Sequence, residues 1–224
     1  MSSVRIERAS CHYAGTEGAG VTDVDLEVAS GELVTFVGEV GSGRSTLLRM
    51  VAGLEEATAG RILIDGVDVT DAPPSSRGAV MVLQNYALYP HLSVADNMGF
   101  ALRLAGVDDA EIDRRVRDAA DLLDLADRLD ARPQELRGDE RQRVSMGRAI
   151  VRRPKVFLMD EPLSSLSAPV RERTRGQIRD LQRHLGITTL YVTDDLTEAA
   201  ELGDRVAEMV AGRLVRCAPP TGVR

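Results

Sequence analysis

The chain has 224 residues, a formal net charge of −7, 43% hydrophobic residues and 28% charged residues. That length suits one domain or one domain with an inserted lobe, and the composition can bury a core, which argues against global disorder. The acidic balance argues against a nucleic-acid-binding surface, and no apolar run is long enough to cross a bilayer. We therefore expect any contact with a membrane to go through a partner protein.

Two features of the composition bear on the chemistry of the chain. Cys11 and Cys217 stand near opposite ends without a CxxC pair or a Cys/His cluster, which indicates two free thiols and neither a disulfide nor a metal site. Lys155 is the only lysine, and every other basic residue is an arginine, apart from three histidines.

The N-terminal part of the chain predicts strands, a loop and a helix. Residues 3–38 alternate apolar and polar side chains, which predicts antiparallel strands ending in the apolar strand Leu33–Val37. A glycine-rich loop follows at Gly38–Gly43. Ser45–Ala52 then has the pattern of a helix, and Gly53 is placed to end it.

The middle of the chain changes character. Residues 61–70 predict a hairpin around Asp65-Gly66, and Val80–Leu83 predicts a short strand. Over residues 93–132, apolar side chains recur at helical spacing among many Asp and Arg residues. These apolar positions are Ile112, Val116, Ala119 and Leu123. We interpret the stretch as a helical lobe inserted between strands.

The second half of the chain alternates helices with apolar strands. Helices are predicted at Arg141–Arg152 and Arg171–Leu185, and strands at Val156–Met159 and Thr188–Thr193. Val156–Met159 is apolar throughout, as in strands buried on both faces of a parallel sheet. A last hairpin is predicted at 205–216. The alternation of strands and helices indicates an α/β core.

Residues Gly38–Ser45 (GEVGSGRS) lie between a predicted strand and a predicted helix, as the G-x-x-x-x-G-K-[ST] phosphate-binding loop requires. In such a loop the glycines let backbone N–H groups turn towards phosphate oxygens, and the helix N-terminus adds partial positive charge. The Ser45 hydroxyl would then bind Mg²⁺. An ordinary glycine-rich turn is the rival interpretation, and the position between strand and helix argues against it.

The loop departs from the motif at Arg44, where lysine is expected. Arginine keeps the charge, but its planar fork is wider and aimed differently from a compact ammonium group. Lys155 is not placed to stand in, because it precedes the strand Val156–Met159 and so lies at the end away from the phosphates.

The strand Val156–Met159 is followed by the two acids Asp160 and Glu161. Asp160 is expected to hold Mg²⁺ through water, and Glu161 to orient or deprotonate the attacking water. Carboxylates also end strands as simple caps, but the phosphate loop earlier in the chain favours the catalytic interpretation.

Taken together, these segments resemble the ABC ATPase family, in that family's order and spacing. The resemblance covers nearly the whole chain, in the segments 32–53, 80–100, 136–167 and 188–216. Importer ATPases for sugars and glycerol phosphate are resembled especially closely. The segments that carry this closer resemblance are YALYPHLSV at 86–94, LLRM at 47–50 and YVT at 191–193.

The resemblance implies an α/β fold, the P-loop NTPase fold of the ABC ATPase type, with a mixed-sheet core, an N-terminal antiparallel β part and an inserted helical lobe. We expect a single domain with its core at about 1–92 and 153–224 and its lobe at about 93–152. ATP and Mg²⁺ are the implied cofactors. The implied partners are integral-membrane permease subunits and a second ABC ATPase subunit, with no nucleic acid, at the cytoplasmic face of the membrane.

Individual roles are carried over by matching position. Tyr13 resembles the aromatic residue that stacks on adenine, a surface tyrosine being the alternative, and Gln84 resembles the loop glutamine that senses Mg²⁺ and water. The residues expected to touch the nucleotide are Tyr13, Gly38, Gly41, Ser42, Gly43, Arg44, Ser45, Thr46, Arg137 and Gly138. The expected Mg²⁺ ligands are Ser45, Gln84 and Asp160. The expected catalytic positions are Glu161, Gln84 and Asp194.

Several positions depart from the family pattern. The signature Leu-Ser-Gly-Gly-Gln reads LRGDE at 136–140, Ser167 replaces an aspartate, and Asp194 replaces the switch histidine. Four departures add a carboxylate where the resemblance places the γ-phosphate; they are Glu39, Asp139, Glu140 and Asp194. A like charge at ~4 Å costs on the order of 1 kcal/mol in water and more in a protein. We therefore expect weak ATP binding and greatly slowed hydrolysis.

Three hypotheses about function follow. The first is an ATP-hydrolysing importer subunit that tolerates the changes, and the second is a degenerate, non-hydrolysing domain with a structural or regulatory role. The third, an ABC protein acting in translation or DNA repair, is disfavoured by the importer-like segment and the acidic charge. Importers of this branch usually continue into a C-terminal β-rich regulatory domain; its absence here fits either a truncated chain or a shorter subtype.

Overall fold

The computed structural model describes residues 2–13, 20–82 and 87–220. The chain forms two compact units, of which the first comprises Met1–Met81, Lys155–Glu161 and Arg175–Arg224. The second comprises Val82–Pro154 and Pro162–Thr174.

The regular elements are ten strands and six α-helices within these described residues. The strands are β1 (Val4–His12), β2 (Gly20–Val28), β3 (Leu33–Val37), β4 (Ala59–Ile64), β5 (Val67–Asp68), β6 (Ala79–Val82), β7 (Val156–Asp160), β8 (Thr188–Val192), β9 (Arg205–Val210) and β10 (Arg213–Ala218). The helices are α1 (Arg44–Ala52), α2 (Val94–Leu104), α3 (Asp109–Leu122), α4 (Gly138–Ile150), α5 (Ala168–Leu185) and α6 (Leu196–Leu202).

An antiparallel sheet opens the first unit, with strand order β2-β1-β4-β5. The turn between β4 and β5 holds Asp65 at φ 58° and Gly66 at φ 73°. Two successive positive φ angles are what a type I′ hairpin turn needs, and Asp-Gly is a favoured pair for it. The predicted hairpin around Asp65-Gly66 is therefore confirmed.

The second sheet is mixed, with order β10-β9-β3-β8-β7-β6. Strand β3 pairs in parallel with both β8 and β9, and β7 pairs in parallel with β8. The prediction that Leu33–Val37 closes the antiparallel set is wrong. All five β3 side chains are buried, and a strand covered on both faces is stable in the middle of a parallel sheet.

Strand β7 supports the prediction made for it, since all five of its side chains are buried. Just before it, Lys155 donates its backbone N–H to the Gly78 carbonyl at 2.8 Å. The Lys155 side chain is half exposed, with its Nζ 3.9 Å from an Asp65 oxygen. The chain therefore enters β7 at an exposed cation and leaves it at the acidic pair Asp160-Glu161.

Helix α1 packs in the apolar core of the first unit and is held at its C-terminal end by two devices. Gly53 adopts the left-handed conformation and caps the helix, as predicted. The buried Arg77 side chain donates to the carbonyl oxygens of Met50 at 2.8 Å and Thr70 at 2.7 Å. Burial lowers the pKa of Arg77 from its usual value. These contacts fix the helix that the phosphate loop precedes.

Helices α2, α3 and α4 lie in the second unit. The apolar residues that predicted the lobe, with Leu123 just past the helix, are buried along α3. Ser93 caps α2 by accepting the Asp96 N–H at 3.0 Å. A Cβ at Gly147 would lie 2.4 Å from the Met98 side chain, so glycine allows α4 to approach α2 closely. The α4 helix begins three residues before the predicted Arg141.

Helix α6 was not predicted from the sequence. Asp195 caps it, accepting the N–H groups of Thr197 at 2.8 Å and Glu198 at 3.0 Å. The buried Glu198 carboxylate also accepts the Tyr191 hydroxyl at 2.7 Å, which ties α6 to β8. Within the described part of the chain, none of the helices combines the length and apolar character that a membrane span requires.

Candidate nucleotide site

The loop between β3 and α1 has a backbone that only glycine can adopt at two of its positions. Gly38 has φ 149° and Gly43 has φ 95°. A Cβ at Gly38 would lie 2.2 Å from the Met209 carbonyl oxygen, and one at Gly43 would lie 2.5 Å from the Gly20 carbonyl oxygen. Gly41 has φ 84° but faces open space. The glycine spacing therefore reflects close backbone packing under the loop.

Ser42 places a buried hydroxyl group inside this loop. It is 5% exposed, and among the described residues its Oγ has no hydrogen-bond partner. The Ser42 backbone is fixed, because its N–H donates to Glu39 at 3.0 Å and its carbonyl accepts the Gly212 N–H at 3.0 Å. A buried polar atom without a partner costs about 1–3 kcal/mol. A ligand oxygen at this position would remove that cost.

Ser45 and Asp160 are brought together at the start of α1 and the end of β7. The Ser45 hydroxyl donates to Asp160 Oδ1 at 2.7 Å, and Asp160 is 9% exposed. Among the described residues there is no group of three or more His, Cys, Asp or Glu side chains that could hold a metal. Mg²⁺ commonly takes one or two carboxylates and completes its shell with phosphate and water oxygens. The pair matches that kind of site.

The Arg44 side chain is buried and bound by groups at the ends of two strands. Its Nη1 donates to the Thr193 carbonyl at 2.5 Å, just beyond β8. Its Nη2 lies 3.7 Å from Glu161 Oε1, just beyond β7, and the Arg44 side chain is 5% exposed. The cation at the lysine position of the motif is therefore held next to the expected catalytic carboxylate. Thr193 was not among the predicted site residues, because a backbone carbonyl carries no sequence signal.

Glu161 itself has a strained backbone. Its φ is 47°, in the left-handed region that non-glycine residues rarely adopt, and its N–H donates to the Val192 carbonyl at 3.0 Å. Such a conformation costs about 1–3 kcal/mol and persists where the surrounding structure fixes it. This backbone conformation fixes the direction in which the Glu161 side chain projects from the end of β7.

Three further predicted site residues, Tyr13, Thr46 and Asp194, lie in the first unit. Tyr13 is 38% exposed. A hydrogen bond with the Thr46 side chain lowers the pKa of the Tyr13 phenol, but burial and the Glu55 carboxylate outweigh it and leave that pKa raised. Tyr13 and Thr46 are therefore neighbours beside the loop. Asp194 is exposed, as is Glu39 in the loop, so both carboxylates face water.

The signature segment 136–140 belongs to the second unit, where its acids are paired with arginines. Glu140 is 4% exposed, accepts the Arg137 N–H at 2.8 Å and lies 3.3 Å from Arg128. Asp139 lies 3.2 Å from Arg137 and 3.4 Å from Arg143. The expected negative field at this segment is thus locally compensated. Gly138 begins α4.

Gln84, predicted as both a catalytic residue and a Mg²⁺ ligand, lies outside the described residues. The remaining predicted residues fall into two groups. The first unit contains the loop, Tyr13, Thr46, Asp160, Glu161 and Asp194. The second unit carries Arg137 and Gly138.

Comparison with known proteins places the chain in a family. The family model described as ABC transporter matches residues 21–164, and the chain belongs to the ABC transporter family. It is similar to the diacetylchitobiose uptake system ATP-binding protein of Streptomyces coelicolor, 54% identical over 98% of this chain and 58% of that protein. It is also similar to an sn-glycerol-3-phosphate import ATP-binding protein of Rhizobium johnstonii, 53% identical over 100% of this chain and 60% of that protein.

The chain thus spans about three-fifths of the length of these relatives. Among solved structures, cbiO1 from Clostridium perfringens, part of an ABC transporter complex, superposes with a TM-score of 0.88. That match has 24% sequence identity and covers 98% of this chain and 89% of the other. It confirms the predicted fold class, that of the ABC ATPase domains.

Proposed function

We propose that the chain is the ATP-binding part of an ABC importer that couples ATP to uptake of a sugar or a glycerol phosphate. The observation that carries the proposal is the 2.7 Å bond between Ser45 and Asp160, next to the glycine loop with its unpartnered Ser42 hydroxyl. The named roles of the two relatives support the solute class, since both are ATP-binding proteins of uptake or import systems.

The residues present fit ATP and Mg²⁺. The loop backbone and the Ser42 hydroxyl would hold the phosphates, and Tyr13 the adenine. Ser45 and Asp160 would hold Mg²⁺, which neutralises charge on the β- and γ-phosphates when it is bound. Glu161, fixed by its strained backbone, would orient the attacking water.

The partners belong to the same proposal. An importer needs permease subunits in the membrane, and an ABC ATPase works as a pair, with a second copy or a different ABC subunit. The chain would then lie at the cytoplasmic face of the membrane and reach it through the permease. We propose a single ABC ATPase domain with its core at about 1–92 and 153–224 and a helical lobe between them.

We further propose that hydrolysis is strongly slowed. Phosphoryl transfer depends on positioned charge, and the cation at the motif lysine position is directed to Thr193 and Glu161. Asp194 presents an exposed carboxylate where the family has a histidine. The alternative function is a degenerate ABC domain that binds nucleotide and serves a structural or regulatory role. The contact between the buried Arg44 and Glu161 favours that alternative over full activity.

Steady-state Mg-ATP hydrolysis by the full chain tests the proposal, with Glu161→Gln as the matched control. We expect the unmodified chain to stay within about twofold of the control. The double variant Arg44→Lys, Asp194→His is expected to gain at least about tenfold, since one factor of ten corresponds to about 1.4 kcal/mol of barrier. An unmodified rate far above the control would show that the substitutions are tolerated, and no gain in the double variant would contradict our account of the loss.

A further inference from the structure

Arg44 and Glu161 form a charge pair that the phosphate-binding role of the loop does not require. Arg44 is 5% exposed and Glu161 is 27% exposed, with 3.7 Å between their charged atoms. Burying a guanidinium group is unfavourable unless its charge and its N–H donors find partners. The Thr193 carbonyl and the Glu161 carboxylate supply partners of both kinds. The Thr193 carbonyl and the Glu161 carboxylate therefore stabilise the Arg44 side chain in its observed orientation.

The geometry makes two uses of Arg44 mutually exclusive. The guanidinium group is a rigid planar fork, so all of its N–H donors turn together. Its two terminal nitrogens already face Thr193 and Glu161, which follow β8 and β7. Turning the fork towards a phosphate in the loop would break the 2.5 Å bond to the Thr193 carbonyl and separate the charge pair.

We propose that Arg44 and Glu161 form a latch that the nucleotide opens. Before nucleotide binds, Arg44 is the counterion of Glu161. The phosphate oxygens of the bound nucleotide then compete with Glu161 for the same guanidinium group. This inference rests on the proposed function, because the competing ligand is the nucleotide of that site.

Two consequences follow from the latch. The contacts of Arg44 with Thr193 and Glu161 must break before Arg44 can bind phosphate. Their loss offsets part of the favourable interaction with phosphate, so the affinity for nucleotide is lower than it would be without the latch. Glu161 also loses its contact with Arg44 once the latch is open, so the charge beside its carboxylate changes only after the nucleotide has bound. The state of Glu161 is thereby coupled to occupancy of the loop.

A double-mutant cycle separates the latch from simple charge repulsion. If Arg44 keeps its contacts with Thr193 and Glu161 when nucleotide binds, Glu161→Gln changes the nucleotide affinity by the same factor in the unmodified chain and in an Arg44→Met background. If Arg44 instead turns to the phosphate, Glu161→Gln changes the affinity much more in the unmodified chain than in the Arg44→Met background. We expect Glu161→Gln to tighten binding about tenfold in the unmodified chain and less than about threefold in an Arg44→Met background.

The experiment measures the Kd of the Mg²⁺ complex of adenylyl imidodiphosphate, which is not hydrolysed, by titration calorimetry on the full chain. Arg44→Met keeps most of the volume of the buried stem, and Arg44→Gln replaces it if circular dichroism shows that the methionine variant does not fold. Arg49→Met is the matched control, because Arg49 is an exposed arginine on the same helix. The Glu161→Gln factor should remain about tenfold in that background.

Each outcome is decisive. A tenfold factor that collapses with Arg44→Met, and survives with Arg49→Met, supports the latch. Equal factors in all backgrounds overturn the latch and leave the proposed function standing. Absence of nucleotide binding by every variant, with all of them folded, contradicts the proposed function as well.

Discussion

The phosphate loop and the signature segment each carry an arginine where the resemblance predicts another residue, but the two arginines lie in opposite environments. Arg44 is 5% exposed and contacts Thr193 and Glu161, more than a hundred residues away in the chain. Arg137 is 68% exposed and pairs with Asp139 and Glu140 in the first turn of its own helix. The buried arginine engages the expected catalytic carboxylate, whereas the exposed one only balances local charge.

The largest expected effect on the free energy of unfolding comes from a substitution in the backbone of the loop that precedes Arg44. Gly38→Ala places a Cβ 2.2 Å from the Met209 carbonyl oxygen at a positive φ, so we expect a loss of more than about 3 kcal/mol of unfolding free energy. Gly41→Ala in the same loop meets no neighbour and should cost only about 1 kcal/mol of backbone strain. Urea denaturation of both variants makes the comparison. Equal losses would show that packing under the loop is looser than the structure indicates.

Removing each arginine in turn tests the contrast between them directly. Arg44→Met leaves the Thr193 carbonyl without its donor and Glu161 without its counterion, and we expect it to cost about 1–3 kcal/mol of unfolding free energy. Arg137→Met removes an exposed side chain and should stay within about 0.5 kcal/mol. Thermal unfolding followed by circular dichroism measures both. The contrast fails if Arg137→Met is the more damaging change.

The smallest expected effect is that of the signature charges. In Glu140→Gln the amide oxygen can still accept the Arg137 N–H, so the change removes only the ion pairs with the half-exposed Arg128 and the exposed Arg137 side chain, about 0.5 kcal/mol or less each. In Glu140→Ala the cap is lost too, which adds about 1 kcal/mol. Urea denaturation at low salt and at 1 M NaCl separates the ion-pair contribution from the cap contribution, because salt screens only the ion-pair contribution. A large salt-sensitive loss in Glu140→Gln would mean that this cluster is electrostatically stronger than its exposure suggests.

Local features of the fold could be predicted from the sequence because they depend on neighbouring residues. The Asp65-Gly66 turn, the Gly53 cap and the buried strand β7 each follow from residue types within a few positions. The sheet to which β3 belongs could not be predicted in this way, because its partners β8 and β9 lie over 150 residues away. Helix α6 did have a signal, since Asp195 and Glu198 have the spacing of a capping box.

The candidate site divides in the same way. Glycine spacing located the loop, and the acids after an apolar strand located Asp160 and Glu161. The direction of the Arg44 side chain depends on a carbonyl at Thr193 and could not be read from the motif. Likewise, the composition of the signature segment indicated excess negative charge, whereas in the folded chain Arg128 and Arg143, which lie outside the segment, pair with its two acids.

Lys155 allows the chain to be labelled selectively with an amine-reactive reagent. It is the only lysine in the sequence, and its side chain is 52% exposed at the entrance to β7. At ~3.3 Å per residue, Asp160 lies about 17 Å further along the same strand. An acylating dye would therefore label one side chain, alongside the α-amino group, at the far end of the strand from the proposed metal ligand. The single lysine thus provides a place for a fluorescent reporter of the proposed nucleotide binding, away from the residues expected to contact the phosphates.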